Sequence, residues 1–160
     1  MINDKSKKIF IYIALVLFVF TIDRISKSII LNILDDTGKV DIYVNSFFSL
    51  FLVWNKGIGF GLFSFDKSSI YNGISLIILI IKLIIIYLIY IEKTPRTYFF
   101  AIILGGSIGN LFDRYYYTAV PDFIDLNYNG YHWFIFNVAD IFITLGIICL
   151  IFAEFLNYKK

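Results

Sequence analysis

Carboxylates carry most of the chemistry this chain can offer. Asp122 stands in Val120-Pro121-Asp122-Phe123-Ile124-Asp125, and Asp140 ends Phe136-Asn137-Val138-Ala139-Asp140. Asn137 and Asp140 share one helix face at i, i+3. Asp140 opens an apolar run, where the positive end of a helix favours its charge. Stabilising that helix end is the plain use of the residue. A second carboxylate beside it would make a different chemistry. Two close carboxylates do not both ionise readily, so one keeps its proton and the pair can hold a water between base and acid. Such a pair hydrolyses peptides with neither metal nor nucleophilic side chain. Asp122 is the candidate partner, although spacing alone does not bring the two together. Asp125 belongs to no motif and is expected to matter little.

A second constellation is Gly105-Gly106-Ser107-Ile108-Gly109-Asn110-Leu111-Phe112-Asp113-Arg114. Gly105 and Gly109 form a GxxxG that lets another helix approach. Gly106, Asn110 and Asp113 fall on one face, and Arg114 follows Asn110 by four. Packing with a capped end is one reading; an intramembrane ionisable cluster as a functional site is the other. Gly105–Gly109 also matches G-x-S-x-G, but that motif needs a strand-turn-helix setting. A serine hydrolase built on Ser107 and His132 is therefore disfavoured, and His132 reads as a surface or interface residue. Asp23 and Lys27 make an i, i+4 pair in the favourable order, with a structural or positioning role. Lys82, within an apolar run, either snorkels toward the cytoplasm or meets an acid. One histidine and one cysteine serve zinc poorly, and no cofactor is expected; magnesium and calcium stay open on composition. Cys149 reads as inert packing, and a lone cysteine allows no intrachain disulfide.

These residues need elements to position them, and the composition says which solvent those elements meet. The 160 residues are 59% hydrophobic with mean hydropathy +0.80, against roughly 45–50% apolar for a soluble domain. The excess needs lipid. A net charge of +2 gives no nucleic-acid footprint. Four segments approach the ~20 residues of a membrane span: about 9–30, 69–91, 98–112 and 136–155. They make a single membrane-embedded domain, with outer connections at about 31–68 and 113–135. No cleavage site follows the first segment, so it is expected to stay as a helix. Basic residues crowd the two tails and the turn Glu92-Lys93-Thr94-Pro95-Arg96, which predicts both termini in the cytoplasm. Nine of the aspartates then fall on the outer half. The stretch from Asp41 to Phe65, with Gly57, Gly59 and Gly61, suits short strands and a turn. The aromatic second connection suits the membrane interface. The expected fold is an all-α integral membrane protein of four transmembrane helices, with a small sheet between the first two.

Taken together, the segments from Thr21 to Gly146 resemble the bacterial type II, or lipoprotein, signal peptidases. The matching pieces are Asp23-xxx-Lys27, Asn55-Lys56-Gly57-Ile58-Gly59-Phe60-Gly61, Gly105-Gly106-xx-Gly109-Asn110-xx-Asp113-Arg114, Asp122-Phe123-Ile124 and Phe136-Asn137-x-Ala139-Asp140. Each is short; their order and spacing carry the likeness. The resemblance implies an aspartic endopeptidase with an extracytoplasmic β-cradle. Such an enzyme cleaves prolipoproteins just before a cysteine bearing diacylglycerol, at the outer face of the cytoplasmic membrane. It implies Asp122 and Asp140 as the catalytic pair. Asn55, Gly57, Asn110, Arg114 and Asn137 would bind substrate or position the site, supported by Asp23, Lys27 and Asp113. Membrane lipid is the implied surrounding, globomycin the inhibitor and a monomer the state. Two departures stand out: Pro121 where the family has valine, which removes a backbone donor beside Asp122, and Ile58 where it has alanine. A small proton-coupled four-helix transporter is the alternative, but its acid would sit near the midplane.

Overall fold

The computed structural model describes residues 3–57, 68–92, 94–128 and 131–158. Four helices alternate with two β-hairpins: α1 (Asp4–Thr37), β1 (Asp41–Asn45), β2 (Phe48–Asn55), α2 (Ser68–Ile91), α3 (Arg96–Tyr117), β3 (Val120–Tyr128), β4 (Tyr131–Phe136) and α4 (Val138–Tyr158). Each expected span lies within one of these helices, apart from the start of the fourth, because Phe136 ends β4 and Asn137 precedes α4.

Among the described residues, three helices are long and apolar enough to cross a membrane: Ser6–Thr37, Asn72–Ile91 and Val138–Leu156. α3 falls short by composition, and its packing gives the reason. It buries Ala101, Ile103, Leu104, Gly105, Gly106, Gly109, Asp113 and Arg114 and packs against α1, α2 and α4. A helix screened by three neighbours has little need of a lipid-compatible surface, whereas α1 and α2 present Phe10, Leu17, Leu76 and Ile84 outward. The GxxxG serves close approach, as expected. A Cβ on Gly105 would lie 2.8 Å from the Val16 carbonyl oxygen, and one on Gly109 would strike the Asp23 carboxylate. Both obstacles are on α1.

The sheet corrects the expectation that strands come only from the connection between the first two helices. It is four-stranded, antiparallel and ordered β1-β2-β3-β4, so the aromatic second connection supplies half of it. β3 and β4 were obscured because they read as interfacial aromatics; their β-favouring Phe, Ile, Tyr and Trp content is the overlooked signal. The predicted glycine turn beyond Gly57, including Ile58, Gly59 and Gly61, lies outside the described residues. Ile30 of α1, Val40 and Phe123 of β3 form a buried cluster that ties the sheet to the helices. Pro121 sits within β3 opposite Trp54, while pairing with β4 starts only at Ile124. A strand bonded on one side accepts a residue without an N–H, so the departure leaves β3 intact.

Candidate active site

Asp122 and Asp140 arrive from different elements and meet around one asparagine. Asn137 precedes α4, and its Oδ1 accepts the Asp140 N–H at 3.1 Å while an Asp140 carboxylate oxygen accepts the Asn137 N–H at 3.2 Å. That reciprocal pair is a capping box, so the plain role of Asp140 is real. The same Asn137 donates through Nδ2 to Asp122 Oδ1 at 2.5 Å. The cap of α4 thereby joins both carboxylates, which are 2% and 8% exposed.

Every amide at the site is oriented by a donor on its far side. Asn137 Oδ1 takes the Asp140 N–H, so Nδ2 must face Asp122. Asn55, at the end of β2, accepts the Gly57 N–H at 2.8 Å and turns Nδ2 onto Asp122 Oδ2 at 2.8 Å. Asn110 of α3 accepts Lys27 Nζ at 2.8 Å and turns Nδ2 onto Asp140 Oδ1 at 2.8 Å. An ammonium has only donors, so Lys27 fixes which way the Asn110 amide lies. Arg114 closes the other arm by donating to the Gly57 carbonyl oxygen.

Beneath Asp140 lies a buried charge cluster. Lys27 Nζ meets Asp23 at 2.9 Å and Asp113 at 2.7 Å. Asp23 also accepts the Ala139 N–H at 3.1 Å, which pins the first turn of α4 to α1. Arg24 bridges Asp113 at 2.6 Å and Asp23 at 2.8 Å. Arg24 has no role among the sequence-based expectations; its only signal is its place between Asp23 and Lys27.

Burial pushes the Asp122 carboxyl up to about 7, and the neighbouring charge of Asp140 pushes the same way, against the two amide donors. A carboxyl near neutrality holds or gives a proton with equal ease, which suits general acid–base work.

All ten expected site residues fall in this one connected network. The other candidates lie apart. Asp125 is buried rather than idle: it is 2% exposed and paired with His132 Nδ1 at 2.7 Å across β3 and β4. Ser107 donates to the Leu104 carbonyl within the continuous helix α3, which is not the strand-turn-helix setting that G-x-S-x-G needs. Lys82 follows neither expectation, since it is 4% exposed and its Nζ reaches the Ile78 carbonyl oxygen at 3.5 Å. Side chains lean toward a helix N-terminus, and this one leans away from the α2–α3 turn.

The family described as Signal peptidase (SPase) II matches residues 15–156. The chain is 52% identical over 155 residues to a lipoprotein signal peptidase of Pelagibacter ubique (strain HTCC1062), covering 96% of this chain and 93% of that one. It is 36% identical over 152 residues to a lipoprotein signal peptidase of Anaplasma marginale (strain Florida), covering 92% and 85%. Two solved structures described as bacterial membrane enzymes have a similar fold. One has TM-score 0.77 at 27% identity, covering 94% of this chain and 90% of its own; the other has TM-score 0.71 at 28% identity, covering 91% and 93%. With the match spanning the sheet, the asparagine frame and both aspartates, the chain belongs to the signal peptidase II family.

Proposed function

We propose that the chain is an aspartic endopeptidase of the bacterial cytoplasmic membrane that removes signal peptides from diacylglyceryl-modified prolipoproteins, cutting just before the lipidated cysteine. The observation that carries this reading is the pair of buried carboxylates held by three oriented asparagines at the junction of sheet and helices. All 160 residues form one peptidase domain, α3 is the fourth span, and the dyad lies at the outer leaflet. The enzyme works as a monomer, takes no metal or cofactor, and binds globomycin as a substrate mimic.

In the reaction a water lies between the carboxylates. The ionised one takes a water proton as the oxygen attacks the scissile carbonyl. The protonated one supports the carbonyl oxygen and then gives its proton to the departing amine, so the C–N bond breaks with charge conserved. The substrate's acyl chains stay in lipid while the scissile bond reaches the interface, where water is present. A transporter would place its acids deeper.

The test uses purified Asp122→Asn and Asp140→Asn, matched for folded fraction and assayed on one diacylated prolipoprotein peptide. Each should lose at least about 100-fold in kcat, in line with the loss of a general acid or base. The double variant should be no worse than either single one, because the two act as a unit. Substantial turnover by either single variant removes that residue from the mechanism.

A further inference from the structure

Arg24 is the charged residue of the buried cluster that stands outside the expected site residues. Its side chain is 18% exposed, whereas the carboxylates it bridges, Asp23 and Asp113, are fully buried. Its guanidinium stands over the Phe112 ring at 4.9 Å and near Phe20 at 6.0 Å. The fork thus lies against both rings, and a stacked, forked cation is poorly replaced by any other residue.

The cluster balances two carboxylates with two cations: Asp23 and Asp113 against Arg24 and Lys27. Lys27 is 1% exposed, and its three ammonium hydrogens have three partners: Asp23, Asp113 and Asn110. The first two are charged and attract it strongly at low dielectric. The third is a neutral amide oxygen and the weakest hold. Lys27 stays on Asn110 only while the demand of the two carboxylates is met from elsewhere, and Arg24 meets it, with contacts to Asp113 at 2.6 and 2.8 Å and to Asp23 at 2.8 Å. Without Arg24 the cluster carries one net negative charge around a single ammonium. Lys27 is then drawn onto Asp113 and Asp23, the Asn110 amide loses the donor that fixes its orientation, and the amide donor to Asp140 is no longer guaranteed.

We propose that Arg24 is a positioning residue for the reaction, holding Lys27 against Asn110 and, through the Asn110 amide, setting the Asp140 carboxylate. The inference rests on the assignment of Asp122 and Asp140 as the catalytic pair. Lys27 is also among the charges that lower the Asp122 carboxyl, so displacing it leaves a second, independent mark on Asp122.

Arg24→Gln, matched to wild type for folded fraction in detergent, is assayed on a diacylated prolipoprotein peptide. The expected result is a loss of about tenfold in kcat with KM within about twofold, because the dyad and not the substrate surface is disturbed. Arg24→Lys keeps the charge but not the fork and should lose only about threefold. If Arg24→Gln does not fold, Arg24→Lys carries the test: that intermediate loss supports the proposal, and wild-type kcat overturns it. In an Asn110→Ala background, adding Arg24→Gln should change kcat by less than about twofold, since the path through Asn110 is already cut; fully additive losses overturn the proposal. Independently of turnover, the infrared carboxylic C=O band that disappears in Asp122→Asn is titrated in wild type and Arg24→Gln. Its midpoint should move to higher pH in Arg24→Gln, and an unmoved midpoint overturns the proposal. A wild-type protein that fails to cleave the peptide would sink the peptidase reading alone, because the infrared titration tests Arg24 without it.

Discussion

At the residue scale, Asp122 is subject to opposed forces. Two amides donate to its two oxygens and favour the carboxylate, while burial and the charge of Asp140 favour the acid. Burial wins, and the folded value stands at about 7 against 3.8 for the free side chain. The folded state therefore binds more protons than the unfolded state between those values. The stabilising contribution of this group is complete below about pH 4 and is lost as pH rises through about 7. The expected outcome is that the melting-temperature difference between wild type and Asp122→Asn falls across that window and levels off above it; a difference flat from pH 4 to 8 contradicts the assignment. The same geometry explains why asparagine is not a silent replacement. An amide at 122 sets its own NH2 against Asn55 or Asn137, both of which are donors held in place from behind. A buried donor facing a donor costs about 1–3 kcal/mol, so the variants need matching by folded fraction before their activities are compared.

At the scale of elements, the helices were largely legible in the sequence because apolar runs of span length have few other uses. α3 was legible through its polar face, Gly106, Asn110 and Asp113, more than through its hydropathy. The two hairpins were half legible. Asp41 to Asn55 read as strands, but Val120 to Phe136 did not, since tyrosine and tryptophan serve both a strand and a membrane interface. The meeting of Asp122 with Asp140 depends on β3 pairing with β2 and on the cap of α4, two long-range facts that no local pattern encodes. The Asp125–His132 pair was missed for the same reason, because the partners are cross-strand neighbours separated by a hairpin. Asp125 is buried while His132 is 62% exposed, and the pair bonds β3 to β4 beside an irregularity in their register between Asp125 and Asn127. Asp125→Ala should therefore lower stability by about 1–3 kcal/mol by stripping a buried acceptor from its donors. His132→Ala should cost less, since water replaces much of what it loses. Equilibrium unfolding in detergent measures both, and the folded fraction of Asp125→Ala should keep its turnover, because none of the bonds to Asp125 reaches the dyad. A well-folded but inactive Asp125→Ala would mean that the wrong carboxylates had been paired.

At the scale of the whole molecule, both hairpins belong to one sheet although a helical pair separates them in sequence. The connections α1–α2 and α3–α4 consequently lie at the same end of the bundle, with the α2–α3 turn at the other. That end carries the dyad, Arg24, Lys27 and a rim of exposed aromatics including Tyr43, Tyr115, Tyr131 and Trp133. Tyrosine and tryptophan with one wet and one apolar side settle at the headgroup level, and the proposed placement accordingly has the sheet on the bilayer surface and the carboxylates just beneath it. The turn end instead carries Arg96, and a short basic connection of this kind is expected to stay cytoplasmic. Arg96 pairs with Glu154 of α4 at 2.8 Å, so the α2–α3 turn and the C-terminal part of α4 lie at the same end of the bundle. With this orientation, two single cysteines in a Cys149→Ala background should label from opposite sides. Tyr131→Cys, on the exposed edge strand β4, should react with a membrane-impermeant thiol reagent added to spheroplasts. Thr94→Cys, in the exposed α2–α3 turn, should react only after the membrane is permeabilised. A reversed pattern would put the dyad on the cytoplasmic side. It would then face the wrong leaflet for a substrate whose mature part has already been exported, and the peptidase reading would have to be given up together with the orientation.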